Sequence, residues 1–315
     1  MSASGGARAV IAALLANLGI ALTKFVAFAL TGSSSMLAEA IHSVADSGNQ
    51  VLLLIGGKRS RRAATAQHPF GYGRERYIYA FIVSIVLFSV GGVFALYEGI
   101  HKVMHPEPID SWQWVPLLVL VVAITLESLS FRTAIGEANH QRQGASWVAF
   151  IRHSRAPELP VVLLEDFGAL IGLVFALFGV GLTLLTDNGV WDGIGTLFIG
   201  SLLVCIAVVL AIETKSLLLG EAATSRQLTA ITAAVNATPG LDRVIHLRTM
   251  YLGPDELLVA AKAAIPPGSS AGDVAAAIDD AEARIRQAVP IARVIYIEPD
   301  IDRADLAEST GADPL

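Results

Sequence analysis

Apolar stretches long enough to cross a lipid bilayer fill most of the first two thirds of the sequence. A helix crosses the hydrocarbon core with about 20 consecutive, mostly apolar residues. Six such windows can be placed, at 9–30, 36–57, 77–101, 112–135, 160–184 and 190–212. Only 16% of the residues are charged, against about 25% in an average soluble chain. We therefore expect an α-helical integral membrane protein with six transmembrane helices.

Basic residues are concentrated in the loops that follow the second and fourth predicted spans. The loop at 58–76 contains six Lys or Arg residues and the loop at 136–159 contains three, whereas the loops at 31–35 and 185–189 contain none. The positive-inside rule then places the basic loops and both termini in the cytoplasm. We expect no removable signal peptide, because the N-terminus has no basic region or cleavage site. With no transit peptide either, a bacterial plasma (inner) membrane is favoured.

A small α/β domain is predicted after Gly220. Helix and strand patterns follow one another there in the order helix, strand, strand, helix, strand. The segments are 224–236, 243–252, 256–265, 271–288 and 292–300. This αββαβ order suits a ferredoxin-like domain whose helices cover one face of a sheet.

The charge balance separates the two predicted domains. From Glu221 onward the chain has 14 acidic and 8 basic residues, which accounts for its whole net charge of −6. An acidic domain repels nucleic acid, so we expect no nucleic-acid partner. We expect residues 1–215 to form the six-helix transmembrane domain and residues 216–315 to form the cytoplasmic ferredoxin-like domain, with a frayed C-terminus.

Ionisable residues inside two predicted spans are the main functional signal. His42 and Asp46 lie four residues apart in the second span, so a helix places them on one face. Imidazole and carboxylate together suit Zn²⁺ and similar divalent metals. Glu165 and Asp166 lie in the fifth span and point about 100° apart on a helix. We prefer Asp166 as a ligand, with Glu165 as a possible fourth. The alternative is a packing role, but ionisable groups in membrane spans are usually functional.

Three further polar residues within the spans have less specific roles. Asn17 and Asn49 are candidates to support the metal ligands, although hydrogen bonding between helices is the commoner role of such residues. Glu127 lies deep in the fourth span. It can pair with Arg132 or Lys24, or belong to a proton path, and the sequence leaves these alternatives open.

The ordered combination of these features resembles the cation diffusion facilitator family. It comprises six spans, His42 and Asp46 in the second, Asp166 early in the fifth, and the αββαβ tail. The segments "HPFGYGRER" at 68–76 and "LLLGEA" at 217–222 are also typical of that family. The resemblance implies a secondary transporter, not an enzyme, that exports divalent metal from the cytoplasm in exchange for protons. It also implies a homodimer in which the cytoplasmic tails pack together.

The sequence departs from the commonest family pattern at the predicted site. Zinc-type members have a histidine or aspartate four residues before the aspartate of the fifth span, and Val162 occupies that position here. The segment "LPVVLLED" is similar to the branch that includes the mitochondrial zinc exporter of animals. Two accessory metal positions known in the family correspond to His68 and His246. We expect no metal site at His68, and an ordinary strand role for His246.

Zinc is the cargo that we expect first, because a histidine with carboxylates suits it. Mn²⁺, Fe²⁺, Co²⁺ and Cd²⁺ remain alternatives, since including Glu165 makes the ligand set richer in oxygen. A membrane metal sensor or scaffold that does not transport is the runner-up function. An intramembrane metalloenzyme ranks lower, because the sequence has no HExxH or GxSxG motif.

Overall fold

The computed structural model describes residues 3–109, 111–142 and 144–302, with side chains from Asn17 onward. The chain divides into two compact units. The first is Met1–Arg62 with Glu75–Lys215, and the second is Ala63–Arg74 with Ser216–Leu315. The frayed C-terminus that the sequence predicts lies outside the described residues.

Long helices build the first unit. They are α1 (Ala3–Thr31), α2 (Ser34–Arg59), α3 (Glu75–Met104), α4 (Trp114–Arg142), the short α5 (Trp147–His153), α6 (Glu158–Thr186) and α7 (Val190–Leu219). Each of the six predicted windows falls on one of the long helices. The prediction of a plain loop at 136–159 was wrong. There α4 continues to Arg142, and Ser146 begins α5 by accepting a hydrogen bond from the backbone of Ala149 at 3.1 Å.

Four of these helices are long and apolar enough to cross a membrane. Within the described residues they are α3, α4, α6 and α7. The described apolar part of α1, Asn17–Thr31, is shorter, and α2 has a lower mean hydropathy because it contains the ionisable residues of the candidate site. The transmembrane domain is therefore present, whereas the count of six spans stays a prediction.

A buried carboxylate holds the beginning of α2. Asp192 of α7 is fully buried and accepts hydrogen bonds from Ser33 Oγ at 3.0 Å and from the backbone N–H groups of Ser34 at 2.6 Å and Ser35 at 3.2 Å. Helix N-termini have free N–H groups and a partial positive charge, so a carboxylate stabilises them. Lys102 of α3 also donates to the carbonyl of Gly32 at 3.2 Å. The α1–α2 turn is thus fixed by two neighbouring helices.

A π-helical segment interrupts α3 at Leu87–Val93. Its two glycines allow close packing: a Cβ on Gly92 would lie 2.7 Å from the Val204 side chain, and one on Gly91 would lie 3.8 Å from His42 Nδ1. Segments of this kind are frequent at functional sites. Here the segment brings the backbone of α3 close to the His42 ring.

The C-terminal part of the second unit is an α/β domain. It contains α8 (Ser225–Asn236), β1 (Arg243–Gly253), β2 (Glu256–Ala264), α9 (Ala271–Ala288) and β3 (Ala292–Asp300). The sheet order is β1-β2-β3; β1 and β2 pair antiparallel through a short turn, and β2 and β3 pair parallel through the α9 crossover. Ile231 and Ile285 of the two helices pack with Leu257 and Val259 of β2 in its core. The predicted order of elements is confirmed, and the assignment to the ferredoxin-like fold stays a prediction.

Replacing Asp192 should destabilise the membrane unit. In Asp192→Asn the amide can accept fewer of the hydrogen bonds from Ser33, Ser34 and Ser35, and buried donors without partners cost about 1–3 kcal/mol. We expect a lower thermal unfolding midpoint in detergent. Asp187→Asn is the control, because Asp187 is exposed and asparagine tolerates its positive φ of 53°. Equal midpoints for the two variants would contradict the capping role of Asp192.

Candidate metal centre

Helix α2 places three polar residues on one face within the apolar bundle. His42 and Asn49 are buried, and the Asp46 side chain is 18% exposed. His42 Nε2 lies 3.4 Å from Asp46 Oδ2. Both ring nitrogens of His42, Asp46 Oδ1 and Asn49 Oδ1 are buried without a hydrogen-bond partner among the described residues. Leaving such atoms unpaired costs about 1–3 kcal/mol each, so this face of α2 is suited to a bound cation, proton or water.

Helix α6 contributes two adjacent carboxylates that face different helices. Glu165 is buried and accepts a hydrogen bond from Asn49 Nδ2 of α2 at 2.7 Å. Asp166 accepts a hydrogen bond from Ser130 Oγ of α4 at 3.1 Å. This divergence follows from the rotation of about 100° between neighbouring residues on a helix. Glu165 therefore faces α2, whereas Asp166 faces α4.

Asp46, Glu165 and Asp166 all line one cavity of about 40 Å³. Residues of α1, α2, α4 and α6 line it. The predicted site residues among them are Asn17, Asp46, Glu127, Glu165 and Asp166. Val162 also lines the cavity, so the position that holds a ligand in zinc-type members is apolar here. Four carboxylates from three helices therefore surround one small space in the bundle.

The predicted ligands are not arranged as a closed metal site. His42 does not line the cavity, although it lies beside Asp46. In the part of the chain that the structure describes, no three His, Cys, Asp or Glu side chains converge closely enough to hold a metal ion. The ligand set of His42, Asp46 and Asp166 with Glu165 thus stays a prediction. To bind metal together, these side chains must change rotamer or their helices must shift.

The two accessory histidines lie in exposed positions of the second unit. His68 is in the loop after α2, where its ring packs edge-on against Tyr72 with 4.8 Å between centroids and its backbone N–H bonds to Thr65. His246 is exposed on β1, opposite Lys262 of β2. Within the described residues, neither histidine belongs to a group of three or more His, Cys, Asp or Glu side chains that could hold a metal ion.

Several polar residues that line the cavity were not predicted from the sequence. Ser43, Gln50 and Ser130 line it together with the predicted carboxylates. A signal was present for Ser130, because it follows Glu127 by three residues and so lies on the same face of α4. Lys24 was considered as a partner for Glu127, but it pairs with Glu39 at 2.9 Å.

The fold and the cavity define an integral membrane protein with an acidic site inside its helical bundle. The family model of the cation efflux transmembrane domain matches residues 10–219. The chain therefore belongs to the cation efflux family, and the predicted membership of the cation diffusion facilitators is confirmed.

Individual relatives agree with the predicted branch of the family. The chain is 34% identical over 248 residues to Proton-coupled zinc antiporter SLC30A9, mitochondrial, of Xenopus laevis, which covers 78% of this chain and 44% of that protein. It is 27% identical over 249 residues to Metal tolerance protein C4 of Arabidopsis thaliana, which covers 78% of this chain and 54% of that protein. The chain thus spans about half the length of these curated relatives. A solved variant of the C-terminal domain of MamM aligns with 24% of this chain and 92% of that chain, at 19% identity and a TM-score of 0.23.

Removing the Asn49 amide tests whether its hydrogen bond to Glu165 stabilises the helical bundle. Asn49→Leu leaves Glu165 Oε1 without its donor, and a buried acceptor without a partner costs about 1–3 kcal/mol. We expect a lower thermal unfolding midpoint in detergent than for Gln50→Leu, a matched change at the next residue of α2. Equal midpoints would show that the bond between Asn49 and Glu165 does not stabilise the bundle.

Proposed function

We propose that this protein exports a divalent metal cation, most simply Zn²⁺, from the cytoplasm in exchange for protons. One observation carries the proposal: Asp46, Glu127, Glu165 and Asp166 line a single cavity in the bundle, and no Lys or Arg among the described residues lines it with them. Grouped carboxylates in a membrane interior need a cation or protons to neutralise them. A relative whose name is proton-coupled zinc antiporter supports both the metal and the counter-ion.

The ligands that we propose come from α2 and α6. His42 and Asp46 supply one side of the site, Asp166 the other, and Glu165 is the fourth ligand in place of Val162. In the structure Glu165 bonds to Asn49 and Asp166 bonds to Ser130. Each hydrogen bond uses one carboxylate oxygen, so the other oxygen of each carboxylate is the one that we propose binds the metal ion. Asn49 and Ser130 then hold the carboxylates when the metal is absent.

Coupling to protons follows from the charge of this ligand set. Metal binds to neutral histidine and ionised carboxylates, so loading the site releases protons. When the metal leaves, the same carboxylates stay in a medium of low dielectric constant, where protonation removes the cost of their charge. Metal and protons thus compete for the same atoms. Glu127 of α4 also lines the cavity, and we assign it a role in accepting protons outside the ligand set.

The assembly follows from the family resemblance, and the location is the one expected from the sequence. We propose a homodimer that forms through the membrane and cytoplasmic domains, with both termini in the cytoplasm. The membrane is the bacterial inner membrane, as the sequence predicts. Zn²⁺ is the first cargo to test, and Mn²⁺, Fe²⁺, Co²⁺ and Cd²⁺ follow in competition assays.

Flux in sealed vesicles tests this function. In proteoliposomes with an acidic lumen, we expect zinc uptake that stops when an ionophore removes the pH gradient. Asp46→Asn should reduce the uptake by at least the roughly 10–100-fold that losing even a supporting residue of a metal site costs. Asp187→Asn, in an exposed turn, is the control and should transport as the unmodified chain does. Zinc binding without gradient-driven flux would instead favour the metal sensor or scaffold.

Val162 offers a gain-of-function test of the site. Val162→Asp adds a carboxylate to the cavity wall one helical turn before Asp166, at nearly the same side-chain volume. We expect zinc affinity in detergent, measured by calorimetry, to rise by about tenfold or more, as an added charged ligand should give. Val162→Thr is the control, because it adds polarity without charge. Equal affinities for the two variants would place the metal away from this wall.

A further inference from the structure

A buried ion pair joins α1 to α2 close to the cavity. Lys24 Nζ lies 2.9 Å from Glu39 Oε2, and the two side chains are 4% and 0% exposed. Replacing a buried ion pair by apolar residues is often neutral or stabilising, so such a pair is weak evidence for a purely structural role. In a membrane segment it points to function.

The surroundings of the Lys24 ammonium are those of a small cation site. Three oxygens face it: the Glu39 carboxylate, Ser43 Oγ at 2.8 Å and the Glu39 carbonyl at 3.5 Å. Carboxylate, hydroxyl and carbonyl oxygens are also ligands for divalent cations. The second carboxylate oxygen, Glu39 Oε1, is buried without a hydrogen-bond partner among the described residues. It lies against Gly172 of α6, where a Cβ would be 2.9 Å away. One ligand atom is thus available and unused.

This oxygen-lined site is next to the acidic cavity. Glu39 precedes His42 by three residues and Asp46 by seven, so all three lie along one face of α2. Ser43 belongs to both places, because it accepts a hydrogen bond from Lys24 and also lines the cavity with Asp46. Glu39 lies on the side of Asp46 that leads to the α1–α2 turn. A cation that moves from Asp46 toward that end of the bundle meets Ser43 and Glu39 next.

We propose that the Lys24 ammonium is a tethered cation that occupies a second cation site, formed by Glu39 and Ser43. A divalent metal ion enters this site when the ammonium withdraws. The proposal rests on the proposed transport through the neighbouring cavity. With Lys24 in place, its positive charge repels a metal ion at Asp46 and closes the route toward the α1–α2 turn. Exchange of ammonium for metal opens that route without leaving Glu39 unpaired in the membrane.

The number of zinc ions bound at saturation tests the proposal. Measured by calorimetry and elemental analysis of the full-length protein in detergent, Lys24→Met should bind one more zinc ion per chain than the unmodified protein. The double variant Lys24→Met/Glu39→Gln should return to the unmodified number. Lys24→Arg, which keeps the tethered charge, is the matched control and should bind no extra ion. An unchanged number in Lys24→Met, or an extra ion that persists without the Glu39 carboxylate, would overturn the proposal.

Two further variants separate this site from the main one and guard against misfolding. Lys24→Met/Asp46→Asn should still bind one ion more than Asp46→Asn alone, so the second site is tested even if the assignment of Asp46 fails. If Lys24→Met does not give monodisperse protein, Lys24→Gln keeps hydrogen bonds to Glu39 and Ser43 without the charge. If neither folds, Glu39→Gln decides: we expect at least a tenfold loss of zinc flux in monodisperse protein. Unchanged flux in that variant would show that the Lys24–Glu39 pair is only a structural contact.

Discussion

The cost of burying charge in an apolar bundle governs the arrangement of the membrane unit. Most of its deeply placed carboxylates have a specific partner from another helix. Glu39 has Lys24, Asp192 has the beginning of α2, Glu165 has Asn49, and Asp166 has Ser130. His42 and Asp46 differ in that the ion pair found for them, at 3.4 Å, lies within α2 itself, and both ring nitrogens of His42 are buried without a hydrogen-bond partner among the described residues. The sequence predicts His42 and Asp46 as metal ligands together with Asp166, and that assignment stays a prediction.

The partners themselves differ in strength, and this difference has a functional meaning. Lysine and a helix N-terminus bring positive charge to a carboxylate, as Lys24 does for Glu39 and the beginning of α2 does for Asp192. Asparagine and serine donate a single neutral hydrogen bond, which satisfies one oxygen of Glu165 or Asp166 and leaves the charge uncompensated. A single neutral hydrogen bond therefore holds a carboxylate less strongly than a positively charged partner does. Glu165 and Asp166 are therefore held in position by weaker partners than Glu39 and Asp192 are.

The sequence predicted the helices and the family well, because apolar periodicity and the spacing of His42 and Asp46 are local properties of the chain. It could not predict which residues meet across helices. Ser130 and Lys24 acquire their roles only when α4 and α1 pack against the helices that contain the carboxylates. Asp192 lies at the beginning of an otherwise apolar span, and its pairing with the beginning of α2 depends on a contact 158 residues away along the chain. The π-helical segment of α3, whose Gly92 packs against Val204 of α7, likewise has no simple sequence signal.

These contacts also indicate how the site can rearrange. The beginning of α2, at Ser33, is fixed by Asp192 and, through Gly32, by Lys102. Further along the same helix, Asn49 is joined to α6 by a single neutral hydrogen bond to Glu165. A helix that is anchored at one end can move by pivoting about that end. Such a pivot changes the distance between Asp46 and the carboxylates of α6 while the α1–α2 turn stays closed. In the proposed exchange, loading the cavity and opening the route past Glu39 would then be separate steps.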